Sequence, residues 1–289
     1  MQTPLNVVFF GTPDFVVPVA QSLQTHFNLV GIVSTPDAIQ GRKKILTPSP
    51  VKDFAQANNI PVFTPERYDE ATIEQMKSLN PDLFVVAAYG VIIPQAVLDI
   101  PTKGSLNIHP SLLPKYRGPS PIQTALLNGD ELSGITIIEM DADVDHGPIV
   151  SQWEVPLHPA DTFASLHVSM FKEAAEKLPE IINGFVSGEL RPTPQDHEKA
   201  LFCDHITRES GYFDSENPPS SEVLDRMIRA YYPWPNAWTR LLVNGRSQMV
   251  KFFPEGKMQM EGKNIVTRKE FFNGYPELKE KIEEFFEEK

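Results

Sequence analysis

Short apolar, largely β-branched runs recur along the first half of the chain, each closed by a turn signal and followed by a stretch long enough for a helix. The run at 5–10 ends in Gly11-Thr-Pro-Asp14, the run at 29–34 in Thr35-Pro36-Asp37, and the run at 83–88 in Tyr89-Gly90. Strands this apolar are buried on both faces, which happens where helices cover both sides of a parallel sheet. Strands alternating with helices, without tandem hairpins, predict an α/β chain of the Rossmann-like, doubly wound type with right-handed crossovers. Residues 60–63 add a strand, while 52–57 and 70–79 read as helices, the second stopped by Asn80-Pro81. Gly11 alone is a weak sign of nucleotide binding, because neither a Gly-x-Gly-x-x-Gly nor a Walker pattern is present.

At residues 104–121 the chain stops burying apolar surface and presents functional groups: Gly-Ser-Leu-Asn-Ile-His-Pro-Ser-Leu-Leu-Pro-Lys-Tyr-Arg-Gly-Pro-Ser-Pro. In the extended stretch 105–109 the two-residue period puts Asn107 and His109 on one face and Leu106 and Ile108 on the other. Pro110, Pro114 and Pro119 keep a helix from starting at once and make a stiff loop that can hold a ligand. An imidazole beside a carboxamide can donate hydrogen bonds to a carbonyl oxygen as it gains charge, the main demand of acyl-type transfer. The proton acceptor they lack is supplied by the strand-like run from Ile135, which enters a loop holding Asp141, Asp143 and Asp145. Carboxylates so close repel one another unless one holds a proton or a cationic partner, and His109 is the candidate partner. The plainer alternative is that Asn107 caps a turn, His109 is a satisfied core histidine and the aspartates solvate a loop. No His-Glu-x-x-His or paired-Cys pattern occurs, so no metal is expected.

Asn107-Ile-His-Pro-Ser-Leu-Leu-Pro-Lys-Tyr-Arg-Gly118, with Met140-Asp-x-x-x-Asp-x-Gly147 downstream, resembles the folate-dependent formyltransferases. The opening Phe9-Phe-Gly-Thr-Pro-Asp-Phe-Val-Val-Pro18 and the loop Gly41-Arg-Lys-Lys-Ile-Leu-Thr-Pro-Ser-Pro-Val-Lys52 are similar to the tRNA-specific members. The resemblance implies Asn107, His109 and Asp145 as the catalytic set; His146 departs from the pattern, which usually has Thr after the aspartate. It implies 10-formyltetrahydrofolate as co-substrate, lying along Ser111, Leu112, Leu113 and Pro114 and against the aspartate loop at Asp143. The turn 88–94 brings Tyr89, Val91 and Ile92 beside the catalytic strand, where a pteridine ring needs a flat, dry slot; for Val91 and Ile92 core packing is the alternative. Arg42, Lys43, Lys44 and Lys52 would grip a tRNA acceptor stem, the alternative being a solvated loop, and Arg117 would either bind RNA or pair with a loop aspartate. The implied reaction is transfer of a formyl group to the α-amine of methionine on an initiator tRNA, in translation initiation. Transfer to a nucleotide-linked amino sugar shares the same catalytic residues and is the alternative, and a catalytically silent folate- or RNA-binding protein is a third.

A chain of 289 residues is long enough for two domains with separate cores. Residues 1–188 are expected to form the formyltransferase domain, 189–204 a Pro-containing linker, and 205–289 a smaller C-terminal β-barrel domain. Tyr231-Tyr-Pro-Trp-Pro-Asn-Ala-Trp238 is similar to the segment that opens the family's barrel, and the short β-rich runs after it imply an OB-like but shortened version. Residues 162–183 read as an amphipathic helix interrupted by Pro179. The single cysteine, Cys203, and the absence of a leader or a membrane-length apolar run point to a cytoplasmic chain with no membrane partner, expected as a monomer. The net charge of -12 argues against indiscriminate nucleic-acid binding. The charge is uneven: 13 Lys and Arg stand against 24 Asp and Glu in residues 1–204, and 13 against 14 in 205–289. The acidity therefore sits on the first domain, with the basic loop at 42–52 as a local exception.

Overall fold

The computed structural model describes residues 5–40 and 44–287. The chain begins with β1 (Asn6–Gly11), α1 (Val17–His26), β2 (Asn28–Val33), β3 (Ala38–Gln40), β4 (Ile45–Thr47), α2 (Pro50–Ala57), β5 (Val62–Phe63), α3 (Glu70–Ser78) and β6 (Leu83–Ala87). It continues through α4 (Gln95–Leu98), β7 (Ser105–His109), α5 (Pro121–Asn128), β8 (Leu132–Glu139), β9 (Ile149–Pro156) and α6 (Phe163–Ser187). The last part holds α7 (Ser221–Ala230), β10 (Ala237–Val243), β11 (Arg246–Phe253), β12 (Lys257–Met260), β13 (Ile265–Thr267), α8 (Arg268–Gly274) and α9 (Lys279–Glu284). Two compact units result, neither contiguous in sequence. One comprises the residues up to 118 with 134–155 and 167–202; the other comprises 119–133, 156–166 and the residues from 203 onward.

The first unit is built on a seven-stranded sheet in the order β5-β2-β1-β6-β7-β8-β9. β5, β2, β1, β6 and β7 pair in parallel, as the alternation of strand and helix predicts, and β8 joins β7 antiparallel. The order leaves β1 first toward β2 and β5 and then toward β6 and β7. Connections therefore diverge between β1 and β6 and leave a crevice at the carboxyl ends of those strands. Val7, Val8, Phe9 and Phe10 of β1 and Leu83, Phe84 and Val85 of β6 are wholly buried, with the Phe10 and Phe84 rings 4.9 Å apart. Each such side chain contributes about 1.5–3 kcal/mol by leaving water, so these central strands anchor the unit.

Residues 37–52, expected as a loop, contain an antiparallel hairpin of β3 and β4 with Ala38 opposite Thr47. Its strands are three residues long and expose Ile39, Ile45 and Leu46, too short and too uncovered for a periodic signal. Arg42 and Lys43 lie outside the described residues. The segment expected as a linker instead packs on the first unit: Leu190 lies against Gly184, and Thr193 exchanges both backbone hydrogen bonds with Ile149 at 2.8 Å.

In the second unit β10, β11, β12 and β13 form an antiparallel sheet in chain order, the small β domain that the short C-terminal runs imply. Asn244 and Gly245 make the tight turn between β10 and β11, both at positive φ as such a hairpin requires. Phe213, Phe252, Phe271 and Phe285 close a separate core beneath this sheet. Thr267 and Glu270 cap α8 reciprocally. Among the described residues no helix is long and apolar enough to cross a membrane.

α6 runs unbroken from Phe163 to Ser187 through Pro179, where an interruption was expected. A proline in mid-helix has no N–H for the carbonyl four residues back, which here is Ala175. The Ser22 hydroxyl of α1 donates to that carbonyl at 2.6 Å, so the orphaned acceptor is satisfied from outside the helix. Replacing Ser22 by Ala should destabilise the protein by about 1–3 kcal/mol, the cost of a polar group left unpaired. The same change should cost much less in a Pro179→Ala background, where the helix can supply its own donor; a double-mutant cycle in urea checks the coupling.

Candidate active site

β7 enters the sheet between a parallel and an antiparallel neighbour, with Val86 opposite Asn107 on one side and Thr136 opposite His109 on the other. That register buries Leu106 and Ile108 and turns Asn107 and His109 to the other face, as the two-residue period requires. The structure brings Asp145 to them. One of its carboxylate oxygens accepts the Asn107 amide at 3.1 Å, and the other accepts the Gly118 backbone N–H at 2.8 Å and faces His109 Nδ1 at 3.4 Å. His109 is 4% exposed, and its Nε2 is 2.9 Å from the Tyr116 carbonyl. A carbonyl only accepts, so Nε2 carries a hydrogen.

The loops around this cluster adopt conformations that L residues seldom take. Ala88, Tyr116 and Asp145 have φ of 43°, 65° and 50°. Each such residue stores about 1–3 kcal/mol and persists where its surroundings over-determine it. The surroundings are on hand: Thr136, wholly buried, donates from its hydroxyl to the Ser111 carbonyl at 2.6 Å and accepts the Leu113 N–H at 3.2 Å. Gln152 donates to both the Leu113 carbonyl and the Thr136 hydroxyl. Loop 140–147 is closed by Glu139 N–H donating to the Pro148 carbonyl at 2.9 Å.

The remaining residues singled out in the sequence fall in several places. Ser111 and Leu113 are buried, and Leu112 and Pro114 half-buried, in the loop tied down by Thr136. Val91 and Ile92 are 43% and 82% exposed, so core packing does not account for them. Tyr89 is buried, its ring edge-on to Phe10 and its hydroxyl accepting from Tyr68 at 2.9 Å. Burial raises the pKa of both phenols. Asp143 is exposed and stays apart from the Asn107, His109 and Asp145 cluster. Lys44 is exposed, while Lys52 is engaged in an ion pair with Asp37 at 2.6 Å. Arg117 is 4% exposed and bonded to Gln195 and His197. Among the described residues no group of three or more His, Cys, Asp or Glu is placed to hold a metal ion.

Sequence reasoning missed Gln195 and His197, which stand after Pro192-Thr-Pro194 in a stretch with the composition of a linker. Gln195 is 5% exposed and donates to the Asp145 and Gly147 carbonyls. No local pattern marks it, because its partners lie about fifty residues away.

The doubly wound sheet carries the Asn107, His109 and Asp145 cluster at a strand end. Residues 5–182, more than half of the chain, match the family described as formyl transferase. The chain is 39% identical over 263 residues to the methionyl-tRNA formyltransferase of Chloroflexus aurantiacus, covering 90% of this chain and 83% of that one. Among solved structures, HypX from Aquifex aeolicus in complex with tetrahydrofolic acid superposes with a TM-score of 0.65 at 17% identity, over 96% of this chain and 48% of that one. A sugar N-formyltransferase from Shewanella sp. FDAARGOS_354 superposes with a TM-score of 0.62 at 18% identity, over 84% and 95% of the two chains. This protein belongs to the formyl transferase family.

Gly147 tests how tightly the aspartate loop is closed. A Cβ there would lie 1.8 Å from the Glu139 carbonyl oxygen, a backbone atom that cannot swing aside. Gly147→Ala is expected to destabilise the protein by about 1–3 kcal/mol, seen as a lower Tm, and to reduce activity by displacing Asp145.

Proposed function

We propose that this chain transfers a formyl group from 10-formyltetrahydrofolate to the α-amine of methionine on initiator tRNA. The observation that carries the reading is the meeting of Asn107, His109 and Asp145, 38 residues separating the first from the last, at one strand end. The name of the 39% identical Chloroflexus relative supports tRNA as the acceptor over an amino sugar, which appears in the names of structural neighbours at 18% identity. The family reading requires a folate site, and the chain has surface that fits one. After β6, whose Val86 pairs with Asn107, come the exposed side chains of Val91 and Ile92, apolar surface that a flat ring would cover. The bound donor supplies an activated formyl group.

In this reading Asn107 and His109 donate to the formyl oxygen as negative charge grows there. With Nε2 held by the Tyr116 carbonyl, Nδ1, 3.4 Å from Asp145, is the ring nitrogen that meets the substrate. The Nε2 proton stays fixed on the Tyr116 carbonyl. Asp145 keeps the imidazole oriented and accepts the proton that the attacking amine gives up, while the bond between the formyl carbon and the donor nitrogen breaks and that nitrogen takes up a proton, releasing tetrahydrofolate. The first unit, which includes residues 167–202, carries this chemistry, and the residues from 203 onward belong to the second unit. The chain acts as a cytoplasmic monomer, which sedimentation checks. Arg42, Lys43 and Lys44 make the main phosphate contacts, since residues 205–276 hold only 10 Lys and Arg against 8 Asp and Glu.

Asp145→Asn and His109→Ala should each lower kcat by about 10²–10⁴-fold with donor saturating, and a rate within a few fold of the parent would refute these roles. Charged initiator tRNA and amino-sugar nucleotides should be offered together with a labelled formyl donor. Label is expected in the tRNA, and label in the sugar alone would overturn the acceptor assignment. The log-log salt dependence of tRNA binding should be shallow, set by about three to five neutralised phosphates. Replacing Arg42, Lys43 and Lys44 by Ala should reduce that slope by about three while folate binding is unchanged.

A further inference from the structure

The segment 193–202 touches every loop that builds the Asn107, His109 and Asp145 cluster. Thr193 is paired with Ile149 through both backbone bonds at 2.8 Å, next to the end of the aspartate loop. The Gln195 amide then spans that loop, donating to the Asp145 carbonyl at 2.9 Å and the Gly147 carbonyl at 2.7 Å. Its own oxygen accepts from Arg117 Nε at 3.1 Å and Nη2 at 2.7 Å. Both donors of the carboxamide are used, and the residue is almost wholly buried. Arg117 Nη2 also donates to His197 Nδ1 at 2.8 Å, and the His197 ring stacks on His146 with centroids 4.1 Å apart and planes 7° from parallel. His146 in turn donates to Asp141 at 2.6 Å, holding the start of the same loop. Finally, Arg117 N–H donates to the Leu201 carbonyl at 2.8 Å and Leu201 N–H to the Pro114 carbonyl at 3.1 Å. These last contacts secure the loop whose Tyr116 carbonyl and Gly118 N–H hold His109 and Asp145.

Asp145 sits at positive φ with its carboxylate divided among three partners, a placement its own loop does not enforce. We propose that residues 193–202 form a strap that positions Asp145 for formyl transfer, with Gln195 as its central positioning residue. The inference rests on the reading of Asp145 as the partner of His109. Gln195 touches no reacting atom; it acts by fixing the backbone on both sides of His146, so that the carboxylate arrives at His109 and Asn107 together. His146 and His197 extend the grip by stacking, a contact that a Thr at position 146 would lack.

Gln195→Glu keeps the shape and the bond to Arg117 but replaces the two N–H donors with a carboxylate oxygen facing two carbonyls. The expected result is a kcat lower by about 10–100-fold, as for a misplacement of the order of 1 Å, with KM for the acceptor changed less than about twofold. Amide exchange at Gly118, whose N–H is bonded to Asp145, should speed up in the same variant, measured by NMR on the intact chain. A kcat within twofold of the parent, or a Gly118 amide exchanging as in the parent, overturns the strap. Should Gln195→Glu fail to fold, His197→Ala, at an exposed position, carries the same test: faster Gly118 exchange supports the strap, and unchanged exchange overturns it. If the parent itself transfers no formyl group, the functional reading fails while the exchange measurement still decides whether the strap holds Asp145.

Discussion

The pairing register of β7 is the constraint on which the site depends. This five-residue strand is parallel to β6 and antiparallel to β8, and its Leu106 and Ile108 are buried. A slip of one residue would exchange the two faces, driving Asn107 and His109 into the core and the apolar pair out of it. Because both edges of β7 are hydrogen-bonded, that register is specified twice. Thr136, opposite His109, then reaches the Ser111 and Leu113 backbone, so one register also positions the loop after the strand.

Placement of Asp145 follows a different logic. The aspartate comes from a loop, and its left-handed backbone is unfavourable for a residue with a side chain. Hydrogen bonds from Asn107, Gly118 and Gln195 hold it, and each partner belongs to a separate stretch of chain. A group whose position depends on three distant segments stays where chemistry needs it only when all three are in place. Of the residues at positive φ, Ala88 directly follows β6, while Tyr116 and Asp145 lie within the loops after β7 and β8.

Much of the first unit was legible because buried parallel strands leave an unmistakable pattern. The runs at 5–10, 29–34 and 83–88 became β1, β2 and β6 within a residue or so of their expected limits. Local rules failed where a distant atom intervened. Pro179 signals a helix break by every local criterion, yet the Ser22 hydroxyl supplies the missing donor from another helix. Residues 189–204 have a linker's prolines, yet their backbone pairs with β9 and their buried glutamine braces the aspartate loop. Arg117 is buried and bonded to Gln195 and His197 of that same segment, partners that no local pattern marks.

The sequence by itself determined the strands, the face that Asn107 and His109 share, and the aspartate loop that follows β8. These depend on periodicity and turn chemistry, which act over a few residues and can be read from neighbours in the chain. Periodicity did not choose among the aspartates, though the family resemblance named Asp145; the tertiary structure left Asp143 in solvent and brought Asp145 between Asn107 and Gly118. It also brought Gln195 and His197 against the aspartate loop. Those outcomes depend on hydrogen bonds between residues tens of positions apart, and a directional bond of that kind leaves no trace in local composition.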